Sequence, residues 1–157
     1  MGAGKKLWGY YPTTDVWVPL QVDENGKVVV DMSGVWAAEP LGIEFVIDGG
    51  DVAITTGEKG HLEVPFACTI TQASLYAKQP GSIVVDIWKD TYANFPPTDA
   101  DSITASAPPT ISSAQKSQDS TLTGWTKSIS SGAILAFNVD SCSTITRVTI
   151  SLKVERS

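Results

Sequence analysis

Residues 60–71, GHLEVPFACTIT, and residues 147–155, RVTISLKVE, alternate apolar and polar side chains one by one. Leu62, Val64, Phe66, Cys68 and Ile70 share one parity, and His61, Glu63, Thr69 and Thr71 take the other. Val148, Ile150, Leu152 and Val154 repeat the pattern against Arg147, Thr149, Ser151, Lys153 and Glu155. A strand sends successive side chains to opposite faces, so a period of two means one face in a core and one in water. Several such runs, spaced roughly 8–12 residues apart, predict an all-β fold of the sandwich or barrel type.

Outward from these runs the pattern continues. Ile43 to Ile47 and Val52 to Thr55 read as short strands, Thr56 to Gly60 as a turn, and His61 to Thr71 as a strand. Gln79-Pro80-Gly81 is a turn signal, which predicts a hairpin between Ser74–Lys78 and Ser82–Lys89. Trp125 to Ile129, Ala133 to Val139 and Arg147 to Val154 supply three closing strands. Between them, residues 90–123 are polar and carry Phe95-Pro96-Pro97-Thr98 and Ala107-Pro108-Pro109-Thr110, the mark of a long loop. A helical turn is expected near Pro97 to Ile103, with Asp99 and Asp101 at its start. Eight or nine strands over 45–157 suit an antiparallel β-sandwich of the jelly-roll kind.

Ahead of it, residues 1–34 predict a small β-meander. Leu7 to Tyr11, Val16 to Val22 and Val28 to Val30 are its strands, with a tight turn at Asn25-Gly26. Such a unit is too short to bury a core alone. Trp8, Tyr10, Tyr11 and Trp17 are therefore candidate anchor or oligomer contacts, packing on the main domain, on another copy, or on a host scaffold. Residues 35–44, with Pro40 and Gly42, read as a linker.

The formal charge is −6, and the 11 basic residues are scattered apart from Lys5-Lys6. Phosphate neutralisation needs clustered Lys and Arg, so no nucleic-acid partner is expected. No apolar run approaches the ~18 residues of a membrane helix. The first residues lack the apolar stretch of a signal peptide, which predicts synthesis in a cytosol and no membrane partner. Cys68 falls on a dry face and Cys142 in a polar run, so free thiols are expected rather than a disulfide.

Reactive chemistry has few places to reside. His61 is the single histidine, and its parity places it outward in solvent. No Gly-x-Ser-x-Gly elbow occurs, and one His with two Cys is short of a zinc set. Asp86, Asp90, Asp99, Asp101 and Asp140 are the carboxylates that could converge for hydrolysis. Asp99-Ala100-Asp101-Ser102 resembles half a calcium loop but lacks the later Gly and Glu. The reading is a non-enzymatic protein with no catalytic, cofactor or metal site. Trp88, Tyr92 and Phe95 are instead the candidate surface or ligand contact, since aromatic faces suit sugars and partner interfaces. Trp88 has two readings, an exposed ring or one covered by the Pro-rich loop. Contact through these rings is expected to be weak per copy and little affected by salt.

Residues 61–90, then Pro109 to Asp119, Gly124-Trp125 and Ile134 to Asp140, resemble the jelly-roll domain recurring in tailed-bacteriophage virion proteins. The resemblance covers roughly 45–155. Trp8-Gly9-Tyr10, Val16 to Asp23 and Asn25 to Val28 are similar to short attachment segments of phage tail and head-fibre proteins. The resemblance implies a virion structural protein made in the host cytoplasm and displayed as a head fibre, tail fibre or capsid decoration. It implies a homotrimer whose partners are other virion proteins of capsid or tail, with a host-surface glycan as a further partner. A free carbohydrate-binding, lectin-like module is the alternative.

Overall fold

The computed structural model describes residues 8–11, 16–19, 21–22, 25, 28–29 and 40–157. The chain divides into two compact units, 1–37 and 38–157. In the first, β1 (Trp8–Tyr11) pairs antiparallel with β2 (Val16–Pro19), and β3 (Gln21–Val22) with β4 (Val28–Val29). The expected three-stranded meander thus takes the form of two short ladders. Tyr10 stands opposite Trp17, and Trp8 opposite Pro19. What the side chains of Trp8, Tyr10, Tyr11 and Trp17 touch lies outside the described residues, as do 35–39 of the expected linker.

The second unit is all-β and antiparallel, with seven strands in one sheet. They are β5 (Pro40–Asp48), β6 (Gly57–Val64), β7 (Cys68–Asp90), β8 (Thr110–Asp119), β9 (Ser128–Ile129), β10 (Ala133–Ser143) and β11 (Arg147–Arg156). The main order is β5-β11-β7-β10-β6, with β8 and β9 also paired to β7.

Everything hangs on β7, which runs for 23 residues through the expected turn. Its first half pairs with β11, from Ala77 opposite Val148 to Cys68 opposite Arg156. Its second half pairs with β10, from Ser82 opposite Ser143 to Asp90 opposite Ile134. The predicted hairpin at Gln79-Pro80-Gly81 is therefore a corner inside one strand. Proline is tolerated there because β8 has no partner for residues 77–80, so no ladder bond is lost. The Gln79 side chain takes over from the backbone, donating from Nε2 to the Thr144 carbonyl at 2.6 Å and accepting from Thr146 Oγ1 at 3.1 Å. Gly81 is needed for space: a Cβ there would lie 2.5 Å from Thr144 Oγ1 and 2.6 Å from the Ser143 carbonyl.

Alternation decides what faces the core. Val148, Ile150, Leu152 and Val154 are all fully buried, as are Ile83, Val85 and Ile87. Phe45 of the outer strand β5 stacks on Phe137 of β10, with ring centroids 4.2 Å apart. The sheet thus curls over its own core as a half-barrel. Cys68 is buried and Cys142 half-buried, both as free thiols, and burial raises both above the usual thiol range.

Several sequence boundaries move. Residues 40–44 belong to β5 and not to a linker. Val52 to Thr55 form no strand; Gly50 N–H bonds Asp48 Oδ1 at 2.8 Å and Ile54 N–H bonds the Ile145 carbonyl at 2.9 Å. The expected turn at 56–60 is mostly β6, whose positive-φ Gly57 and Gly60 serve an irregular ladder against β10. His61 to Thr71 is interrupted at Pro65–Ala67, and of Trp125 to Ile129 only the last two residues are strand. The 90–123 loop contains all of β8.

The corner makes a direct prediction. Gly81→Ala should lower the unfolding free energy by about 1–3 kcal/mol through overpacking. Gly42→Ala, where a Cβ meets nothing within 4 Å, should stay within about 0.5 kcal/mol of wild type. Urea denaturation of both variants measures the difference.

Candidate functional site

The second half of β7 turns Ile83, Val85 and Ile87 inward and leaves Asp86, Trp88 and Asp90 on the opposite face. Register then places partners beside them. Trp88, Ala136 and His61 form one row across β7, β10 and β6, and Asp90, Ile134 and Glu63 form the next. Residues 91–104 fold back over this face through 3₁₀ turns at Tyr92–Asn94 and Asp99–Asp101.

One carboxylate fastens that segment. Asp86 is 7% exposed and accepts from four donors. Oδ1 takes Ile87 N–H at 2.7 Å, Ser102 Oγ–H at 2.8 Å and the Thr104 hydroxyl, while Oδ2 takes Trp88 Nε1–H at 2.8 Å. Ser102 also bridges Trp88 through the backbone. A buried carboxylate costs several kcal/mol in lost hydration unless its lone pairs are filled, and here two hydroxyls of the loop and two N–H groups of β7 fill them. The shorter-range parts are equally self-contained. Asp90 Oδ1 accepts from Thr91 N–H at 2.7 Å and Asn94 Nδ2 at 3.1 Å, and Asp101 closes a capping box with Thr98. The bonds from Thr91 first, then Asn94, hold Asp90 below the usual carboxylate range.

The three candidate contact residues end in different states. Trp88 is half-buried, covered by the loop and committed to Asp86. Tyr92 is 83% exposed and Phe95 52% exposed. Phe95 rests against His61, with ring centroids 4.7 Å apart. No aromatic ring stacks on Tyr92 among the described residues.

His61 departs from expectation. It is half-buried rather than solvated, because Phe95 packs on it. Its Nε2 is closed off from solvent without a hydrogen-bond partner. Glu58 Oε1 stands 3.5 Å away, near enough to pair with a protonated imidazole but not aligned for a hydrogen bond.

Of the five aspartates that could converge, Asp86 and Asp99 lie near enough to Asp140 to act on its charge. Asp140 is raised above its ordinary value, first by burial of the carboxylate and then by the nearby charges of Asp86 and Asp99, with Asn138 opposing. Asn138 Nδ2 donates to Asp140 Oδ1 at 2.7 Å. No group of three or more metal-ligating side chains forms among the described residues.

Sequence reasoning missed a groove of about 230 Å³ lined by Ala73, Ala107, Pro108, Pro109, Ser117 and Trp125. Trp125 is 8% exposed and donates Nε1–H to the Ala107 carbonyl at 2.9 Å, so it serves as wall and brace. It also missed Ser102 and Thr104, whose only signal is a hydroxyl pair inside a Pro-rich segment.

Two predictions test this account. Asp86→Ala strands buried donors and should cost about 2–4 kcal/mol, with a red shift in tryptophan emission as Trp88 is uncovered. Asp140 acts through pH. A raised carboxyl pKa means the folded chain holds its proton above the ordinary 3.8, so this group favours folding at low pH and opposes it as pH rises through the folded value. Asp140→Asn should therefore be more stable than wild type at pH 7 and converge on it near pH 3. The gain should be small because the residue is exposed. Thermal melts of both proteins across that range read the difference.

Compared with known proteins, the chain matches no family model, no curated protein and no solved structure.

Proposed function

We propose that the protein is a non-enzymatic structural component of a tailed-phage virion, displayed on the particle as a head or tail fibre or decoration module. The observation that supports it most is the fastened loop. Exposed apolar patches often mark contact surfaces, and Asp86 holds the segment bearing Tyr92 and Phe95 against a β framework. Binding residues commonly sit on such loops above a rigid scaffold. The residues resembling phage sandwich domains supply the virion context.

The sheet is read here as a jelly-roll sandwich. β5, β11, the first half of β7 and the end of β8 form one layer; β6, β10, the rest of β7 and the start of β8 form the other. Phe45 on Phe137 is the contact between layers. The carboxylates of the site serve the loop, which fits a structural role better than an acid–base one. Residues 1–37 are the anchor and trimer-forming unit in this reading, with capsid or tail proteins as partners. The exposed rings equally suit a free lectin-like module, the second reading.

Particle association separates them. Particles from infected cells should contain the full chain and should lack a version missing residues 1–37. Particles carrying Tyr92→Ala with Phe95→Ala should retain the protein and adsorb to host cells more slowly. Full occupancy by the truncated chain would overturn the anchor, and absence of the wild-type protein from particles would favour the free module.

A further inference from the structure

The two exposed rings of the 91–104 segment have a chemical surround that narrows what they can bind. Resting on the surface-contact reading above, we propose that the Tyr92–Phe95 face takes a saccharide carrying a free ammonium group. Tyr92 and Phe95 offer ring surface to solvent, and a pyranose presents C–H faces that pack on such rings. That alone selects no charge.

The selection comes from the neighbours. Phe95 lies on His61, and Glu58 is 3.5 Å from the same imidazole. Asp90 sits directly beneath the Tyr92–Asn94 turn, bonded to Thr91 and Asn94, and those bonds keep it ionised through the neutral range. Glu63 stands in the row of Asp90 and Ile134. Farther along, Asp99 and Asp140 are close enough to act on one another's charge.

Among the described residues, no Lys or Arg forms an ion pair with these carboxylates. Residues 91–115 contain neither Lys nor Arg. The two lysines that flank the site in sequence are turned to other partners. Lys89 donates to the Ser128 carbonyl at 2.7 Å, and Lys59 to Thr55 and Thr56. An ammonium over an exposed ring gains from the ring quadrupole, and carboxylates on either side add to the attraction. A neutral sugar gains stacking and hydroxyl hydrogen bonds but no charge attraction, and a uronate is repelled. The occupant is taken as a sugar and not a peptide because carboxylate oxygens also accept ring hydroxyls. The salt insensitivity expected from aromatic contacts is replaced by its opposite.

The test is amide and indole NMR on the full-length chain at pH 7, titrated with glucosamine, N-acetylglucosamine, glucose and trilysine. Glucosamine should bind at a roughly millimolar Kd and about fivefold more tightly than N-acetylglucosamine or glucose. Raising salt from about 50 mM to about 500 mM should erase that preference. Tyr92→Ala with Phe95→Ala should abolish binding. Glu58→Gln, with an unchanged melting curve, should narrow the preference without removing contact. Equal binding of all three sugars, lost with the rings, would overturn ammonium selection while leaving the surface-contact reading in place. Tighter binding of trilysine than of glucosamine would overturn the saccharide assignment. Glucosamine binding that survives loss of both rings, or no binding at all, would overturn the site.

Discussion

The corner at Gln79–Gly81 is the constraint on which the main unit rests. Because β7 continues through it, one strand belongs to both halves of the sheet, with β11 on one half and β10 on the other. A hairpin there would have paired the two halves of β7 with each other and left β10 and β11 without their common neighbour. The choice is made by contacts distant in sequence. Thr144 and Thr146 engage Gln79 and Pro80, and the Ser143–Ile145 backbone and side chains fill the space beside Gly81. The β10–β11 connection thus acts as the clamp, and the curl that brings Phe45 onto Phe137 follows from it.

The outer face of the second half is organised by a different principle. Ile103, Ala136 and Ile134 are buried there, and directed bonds to Asp86 fix how the cover sits. Charge-assisted hydrogen bonds contribute about 1.5–3 kcal/mol each, so four of them can offset the cost of a buried carboxylate. An apolar residue would bind the segment without fixing its register. A carboxylate with two hydroxyls, an indole and an amide around it admits one arrangement, which is what a loop holding Tyr92 and Phe95 out to water requires.

How far the sequence speaks follows from where each element finds its partners. Strands with one dry face announce themselves, and Arg147 to Val154 emerged with its boundaries nearly intact. The 3₁₀ turn at Asp99–Asp101 was likewise legible, because Thr98 and Asp101 form a local capping box. β8 was not, since Thr110 to Asp119 buries only Ile111 fully and so carries no period of two. Gln79-Pro80-Gly81 has the local chemistry of a turn, and its use as a corner depends on residues more than 60 positions away. Trp88, Tyr92 and Phe95 could be named as candidates, yet their division into one covered ring and two open ones depends on Ser102 and Thr104 reaching Asp86. The burial of His61 depends on Phe95, which no reading of β6 by itself contains.

These two principles meet at Trp88. Its backbone belongs to the ladder with β10 that the corner makes possible, and its indole donates to the carboxylate that fastens the loop. A shift of one residue in β7 would turn Trp88 inward and carry Asp86 into the core, where its four donors could not follow. The exposed rings are therefore coupled to the register of the longest strand, although neither Tyr92 nor Phe95 is part of it. Stability of the corner and presentation of the rings are two readouts of one constraint. That coupling explains how a chain of mostly structural residues can hold a pair of large apolar side chains in water without burying them.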